Sequence, residues 1–97
     1  MIISFGDKAT SDLFHGVSSR HIRKLPNQIH GLALYKLDVI NAAKNLDDLR
    51  SPPGNRLERL KGDLKAFHSI RINSQWRIVF RWESHAAHDV QIMDYHK

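Results

Sequence analysis

Five arginines, Arg56, Arg59, Arg71, Arg77 and Arg81, fall between positions 56 and 81, with Lys61 among them. Asp94, Tyr95 and His96 follow close behind. A guanidinium is a planar fork that matches the oxygens of a phosphate. Histidine is the usual proton carrier near neutral pH, and a phenol can stack on a base or move a proton. Together these groups suit cleavage of RNA without a metal. In that reaction the ribose 2′-OH attacks the adjacent phosphorus and the 5′-oxygen leaves. It needs a general base, a general acid and cations to stabilise the developing charge.

Other chemistries find less support. The chain has no cysteine, which excludes a disulfide framework, a cysteine-ligated zinc site and a thiol nucleophile. Of its seven histidines, His85 and His88 lie three apart around an expected turn, with no third ligand at a recognisable spacing. No metal site and no cofactor are expected. Ser69 and Ser74 lack a His/Asp partner for acyl transfer. Lys61-Gly62-Asp63 is too short for a phosphate-cradling loop. The formal charge is +5, from 15 Lys+Arg against 10 Asp+Glu, which favours a polyanionic partner without specifying one.

The elements that must position these residues follow from the pattern. Ninety-seven residues suffice for one core, so a single domain over residues 1–97 is expected. Nothing resembles a signal peptide or a membrane span, and a cytoplasmic protein is expected. Ile2-Ile3-Ser4-Phe5 is β-prone and could join a later sheet. Asp7 can cap a short helix reaching about Phe14, closed by Gly16. Ser18 to Leu25 reads as a connection. Pro26 suits a first helical turn, and Ile29, Ala33, Leu37 and Ile40 form a stripe, widened by Leu32, on a helix reaching about Asn45. Ser51-Pro52-Pro53-Gly54-Asn55 breaks the chain. Four short strands are then predicted: Arg56–Leu60, Ala66–Ile72, Trp76–Glu83 and His88–Tyr95.

Strand phase sharpens the picture. Ile70, Ile72, Trp76, Ile78, Phe80 and Trp82 share one face, and Arg71, Arg77 and Arg81 share the other. A three-residue loop, Asn73-Ser74-Gln75, keeps the apolar face continuous and sets Arg71 opposite Arg77. Like charges side by side disfavour folding, and an anion between them would relieve that. Val90 and Ile92 should face the core, which puts Tyr95 within reach of Arg77. Asp94 falls out of phase with Tyr95.

Three segments in order carry a family likeness. They are Leu57-Glu58-Arg59-Leu60-Lys61-Gly62-Asp63, the run His68-Ser69-Ile70-Arg71-Ile72-Asn73-Ser74-Gln75-Trp76-Arg77-Ile78-Val79-Phe80, and Asp94-Tyr95-His96. They resemble the HigB branch of the RelE-like toxins of bacterial type II toxin–antitoxin modules, over essentially the whole chain. The resemblance implies a RelE-like α+β fold, with N-terminal helices packed on a small, twisted, mostly antiparallel sheet. It implies a ribosome-dependent mRNA endonuclease that inhibits translation. It also implies a HigA-like helix-turn-helix antitoxin as partner, the two together repressing their own operon at operator DNA. The family's active-surface positions match Lys61, Arg77 and Tyr95 here, with Asp94 and His96 beside them. Arg56, Arg59, Arg71, Asn73 and Arg81 are expected to hold the RNA. Some members carry His three residues before the lysine, where this chain has Glu58, and some carry Arg where it has Asn73. The identity of acid and base therefore stays open. The alternative is a non-catalytic basic module that binds RNA or protein and acts mainly in autoregulation.

Overall fold

The computed structural model describes residues 1–95. Two helices pack on one face of a four-stranded antiparallel sheet, an α+β arrangement. Helix α1 spans Lys8–His15. The Asp7 carboxylate accepts from the Thr10 backbone N–H at 2.9 Å, and Gly16 ends the helix at φ 69°. Inside it Asp12 accepts from the Ser19 hydroxyl at 2.6 Å and lies 3.3 Å from Lys8 Nζ. The Ser19 hydrogen bond, with Lys8, holds this carboxyl below the usual range. The expected connection from Ser18 to Leu25 contains a 3-10 turn at Arg20–Lys24.

Helix α2 spans Asn27–Ala42, about 24 Å at 1.5 Å per residue. Pro26 is its N-cap rather than its first residue. The helix stops short of Asn45 because the Asp48 carboxylate accepts from the backbone N–H groups of Lys44 and Asn45, drawing the chain into a 3-10 turn at Leu46–Arg50. Ile29, Ala33, Leu37 and Ile40 form the buried stripe as predicted, whereas Leu32 is 43% exposed. Lys36 joins the stripe instead.

The sheet runs β1 (Glu58–Arg59), β2 (Phe67–Arg71), β3 (Trp76–Glu83) and β4 (Ala86–Asp94), in that spatial order. β3 has its predicted bounds. The connection before β4 is two residues shorter than the predicted strand bounds leave, with Ser84 at φ 51° and His85 at φ 60°, the two left-handed residues of a two-residue hairpin. β4 carries an extra residue, Asp89 at φ 53°, between the pairs Arg81↔His88 and Val79↔Gln91. The bulge switches the phase of the strand. It lets Ala87 before it and Val90 and Ile92 after it all face the core. Ile2 and Phe5 bridge in parallel to Ala87 and Val90, extending the sheet beyond β4. Gly6 suits the close approach there, since a Cβ would stand 3.1 Å from the Asp89 carbonyl oxygen. The helices cover the sheet face that carries Ile70, Ile78, Phe80, Val90 and Ile92. Fully burying each such side chain contributes about 1.5–3 kcal/mol.

Candidate active site

Arg71 and Arg77 are direct partners across the β2–β3 hairpin, on the face away from the helices. The loop between them has the predicted three residues, with Ile72 N–H donating to the Trp76 carbonyl at 2.9 Å. The Asn73 side-chain oxygen accepts from the backbone N–H groups of Gln75 and Trp76, both at 2.8 Å. That carbonyl is thereby committed to shaping the loop. Tyr95 continues the ladder past β4, its N–H donating to the Gln75 carbonyl at 2.6 Å.

These elements enclose a cleft of about 260 Å³ lined by Arg56, Glu58, Arg71, Asn73, Ser74, Arg77 and Tyr95. Arg77 is its fixed point. It is only 7% exposed. Its Nε donates to Ser69 Oγ at 2.8 Å, and its Nη2 donates to the Arg56 carbonyl at 2.6 Å and the Ser69 carbonyl at 3.3 Å. Glu58 Oε1 lies 3.6 Å from Nη2, and the Tyr95 ring centroid lies 5.8 Å from the guanidinium carbon. Among the described residues no protein acceptor takes the Nη1 donors. Burial pulls this guanidinium below its ordinary value, while Glu58 and Tyr95 push it back up. An arginine remains charged at neutral pH under such conditions. The site therefore offers a preorganised cation, with two N–H groups that no described residue engages and a carboxylate beside it.

The ten residues expected from sequence divide clearly. Arg56, Arg71, Asn73, Arg77 and Tyr95 come together in the cleft. Arg59 does not, because β1 pairs Glu58 with Ser69 and Arg59 with His68. Glu58, not Arg59, therefore shares the arginine face, and Arg59 Nε donates to the Lys65 carbonyl at 3.4 Å. Lys61 is exposed, outside the cleft, before the 3-10 turn Gly62–Leu64. Asp94 pairs with Trp76 in register and accepts from Gln75 Nε2 at 3.1 Å, also outside the cleft. Arg81 lies on the expected face but is engaged by acids. Its Nε donates to Asp89 Oδ2 at 2.9 Å, and Nη1 pairs with Glu83. Asp89 first and Glu83 second raise its affinity for its proton. Its contacts clamp the bulge of β4. His96 lies outside the described residues.

Two cleft residues escaped the sequence. Glu58 was visible only as a departure from a motif, and Ser74 only as part of a turn. Among the described residues, Glu58 is the only carboxylate that lines the cleft. Its place depends on the pairing of a two-residue strand, which no periodicity could reveal. Among the described residues, no cluster of three or more His, Cys, Asp or Glu is arranged to hold a metal ion.

The profile of the family described as "RelE-like toxin of type II toxin-antitoxin system HigB" matches residues 3–96. The chain belongs to the HigB family. It is 43% identical over 82 residues to Toxin HigB-1 of Vibrio cholerae serotype O1, covering 84% of each chain. It is 36% identical over 69 residues to an uncharacterised protein of Haemophilus influenzae, covering 71% of this chain and 68% of that one. A chain of the YoeB–YefM complex from Staphylococcus aureus superposes with a TM-score of 0.61 at 14% identity, covering 100% of this chain and 99% of that chain. The HigB-family assignment and that superposition agree on a RelE-like fold, and this chain is a type II toxin–antitoxin toxin of the HigB/RelE class.

Proposed function

We propose that this HigB-family toxin is a ribosome-dependent mRNA endonuclease that works without a metal ion. The observation that carries the reading is Arg77, a lining residue of the cleft held by Ser69 and the Arg56 carbonyl, whose Nη1 donors meet no acceptor among the described residues. Arg56 and Arg71 add cations beside it. A phosphodiester seated there would meet hydrogen-bond donors already in place, the arrangement that most lowers the barrier when charge develops on phosphorus.

The reaction forms one bond and breaks one. Glu58 takes the proton from the ribose 2′-OH, whose oxygen bonds to the adjacent phosphorus. The bond from phosphorus to the 5′-oxygen breaks, and that oxygen takes a proton from the Tyr95 hydroxyl. The products are a 2′,3′-cyclic phosphate and a 5′-hydroxyl. Asn73 can offer its amide nitrogen to the RNA. Arg59 and Lys61, outside the cleft, add to the positive field that draws the polyanion in through longer-range attraction.

The partners follow the same reading. A HigA-like helix-turn-helix antitoxin neutralises the toxin in the cytoplasm, and the pair represses its own operon at operator DNA. The second reading, RNA binding without cleavage, draws on the 3.6 Å approach of Glu58 to Arg77, which could serve only as a counter-ion. Primer extension on transcripts exposed to the purified chain, with and without translating ribosomes, separates the two. Cuts only on translated messages support the proposal. Cuts on naked RNA would leave a nuclease without ribosome dependence. Intact messages under tight, salt-sensitive binding would establish the second reading.

A further inference from the structure

Lys36 is an odd residue for its place. It lies on the core-facing stripe of α2 and is 7% exposed, yet among the described residues no carboxylate lies within ion-pair distance of it. Burying a cation without an acid is costly, and a methionine there would pack as well. Its Nζ donates instead to Asn55 Oδ1. Asn55 is fully buried. Its Nδ2 donates to the carbonyls of Leu49 and Ser51, both at 3.2 Å. One side chain thus ties the helix to both limbs of the loop before β1.

The next residue is Arg56, held in the left-handed region at φ 45°, ψ 55°. A non-glycine residue there is uncommon and persists where its surroundings impose it. That conformation delivers two things to the cleft. The Arg56 carbonyl accepts from Arg77 Nη2, and the Arg56 side chain lines the wall. We infer that Lys36 and Asn55 are positioning residues for the anion site: they hold the loop that seats Arg56 and through it orient Arg77. Neither touches the cleft. The inference rests on the proposed function only in calling the cleft the reactive site.

The test uses the whole chain and reads Arg77 directly. The variants are Lys36→Met, which keeps the apolar stem, Asn55→Ala, and Lys36→Arg, which restores a donor. In Lys36→Met and Asn55→Ala the Arg77 Nε–H resonance should shift and exchange faster with solvent. Affinity for inorganic phosphate, titrated on that resonance, should fall on the order of tenfold, as should RNA cleavage, since small misplacements of a positioned group cost at least that much. The methyl resonances of Ile70 and Ile78 should stay put, and Lys36→Arg should recover most of the loss. A folded Lys36→Met chain with the wild-type Arg77 resonance and phosphate affinity would overturn the inference. Because the resonance is read on the free chain, a wild type that never cuts RNA would refute the nuclease reading and leave the positioning result standing.

Discussion

Arg77 and Arg81 share one strand and one face, four residues apart, and do opposite things. Arg77 is sunk among neutral acceptors, the Ser69 hydroxyl and two carbonyls, with one carboxylate at a distance. Arg81 is closer to water and is met by two acids. The first presents charge to a cleft. The second has its charge answered at home and fastens a bulge. Strand phase decides which way a side chain points. What surrounds it decides whether its charge is available.

The largest expected effect is at Arg77. Arg77→Ala should cut ribosome-dependent cleavage by about 10²–10³-fold, the scale of losing one preorganised donor. Arg77→Lys should recover little, since an ammonium cannot reproduce the fork. Arg81→Ala, in contrast, should leave cleavage within about twofold while lowering the midpoint of urea unfolding, as loss of an ion pair outside the site acts on stability. Equal losses of activity from both would erase the distinction. Glu58→Gln comes next. A general base contributes about 10²–10⁴-fold, so cleavage should fall by at least the lower figure. RNA affinity in a filter-binding assay should rise, because a negative charge beside Arg77 is gone. Unchanged cleavage would make Glu58 a counter-ion only.

Salt sharpens the contrast further. Going from 0.1 M to 1 M shortens the screening length from about 10 Å to about 3 Å. The stability difference between wild type and Arg81→Ala should shrink accordingly. The Arg77 Nε–H protection should not change, since short buried hydrogen bonds are little screened. The smallest effect concerns the other face. Burial first and Arg59 second push the His68 imidazole below its ordinary value. The unfolded chain then binds that proton more readily, so stability falls as pH drops below about 6.5 and levels off once the folded-state value is passed. His68→Gln should flatten that part of the pH–stability curve, as read by thermal melts.

Much of the site was legible in the alternation of β2 and β3. Eight residues of β3, the three-residue loop and the Arg71–Arg77 pair follow from apolar and basic residues keeping opposite phases. The reach of Tyr95 to Arg77 follows as well. The rest lay in features without a period. A strand of two residues has no phase of its own, so Arg59 and Glu58 exchanged places. A bulge at Asp89 is a single inserted residue, so the approach of that acid to Arg81 could not be foreseen. Ser51 to Asn55 read only as a break and Arg56 as the start of a strand, yet Arg56 ends the loop in the left-handed region and supplies the carbonyl that orients Arg77. Lys36 broke the pattern of its stripe, and an exception of that kind marks a place where packing alone was not the requirement.

The parallel bridges of Ile2 and Phe5 to β4 have a consequence in time. Ile2 and Phe5 can find their places only after residues 86–90 exist. The cleft likewise draws on residues from Arg56 to Tyr95. Contacts between such distant positions slow folding, because the loop must close before they reward it. A growing chain can therefore form its helices early and still carry no finished cleft. The anion site is thus withheld until β4 is in hand.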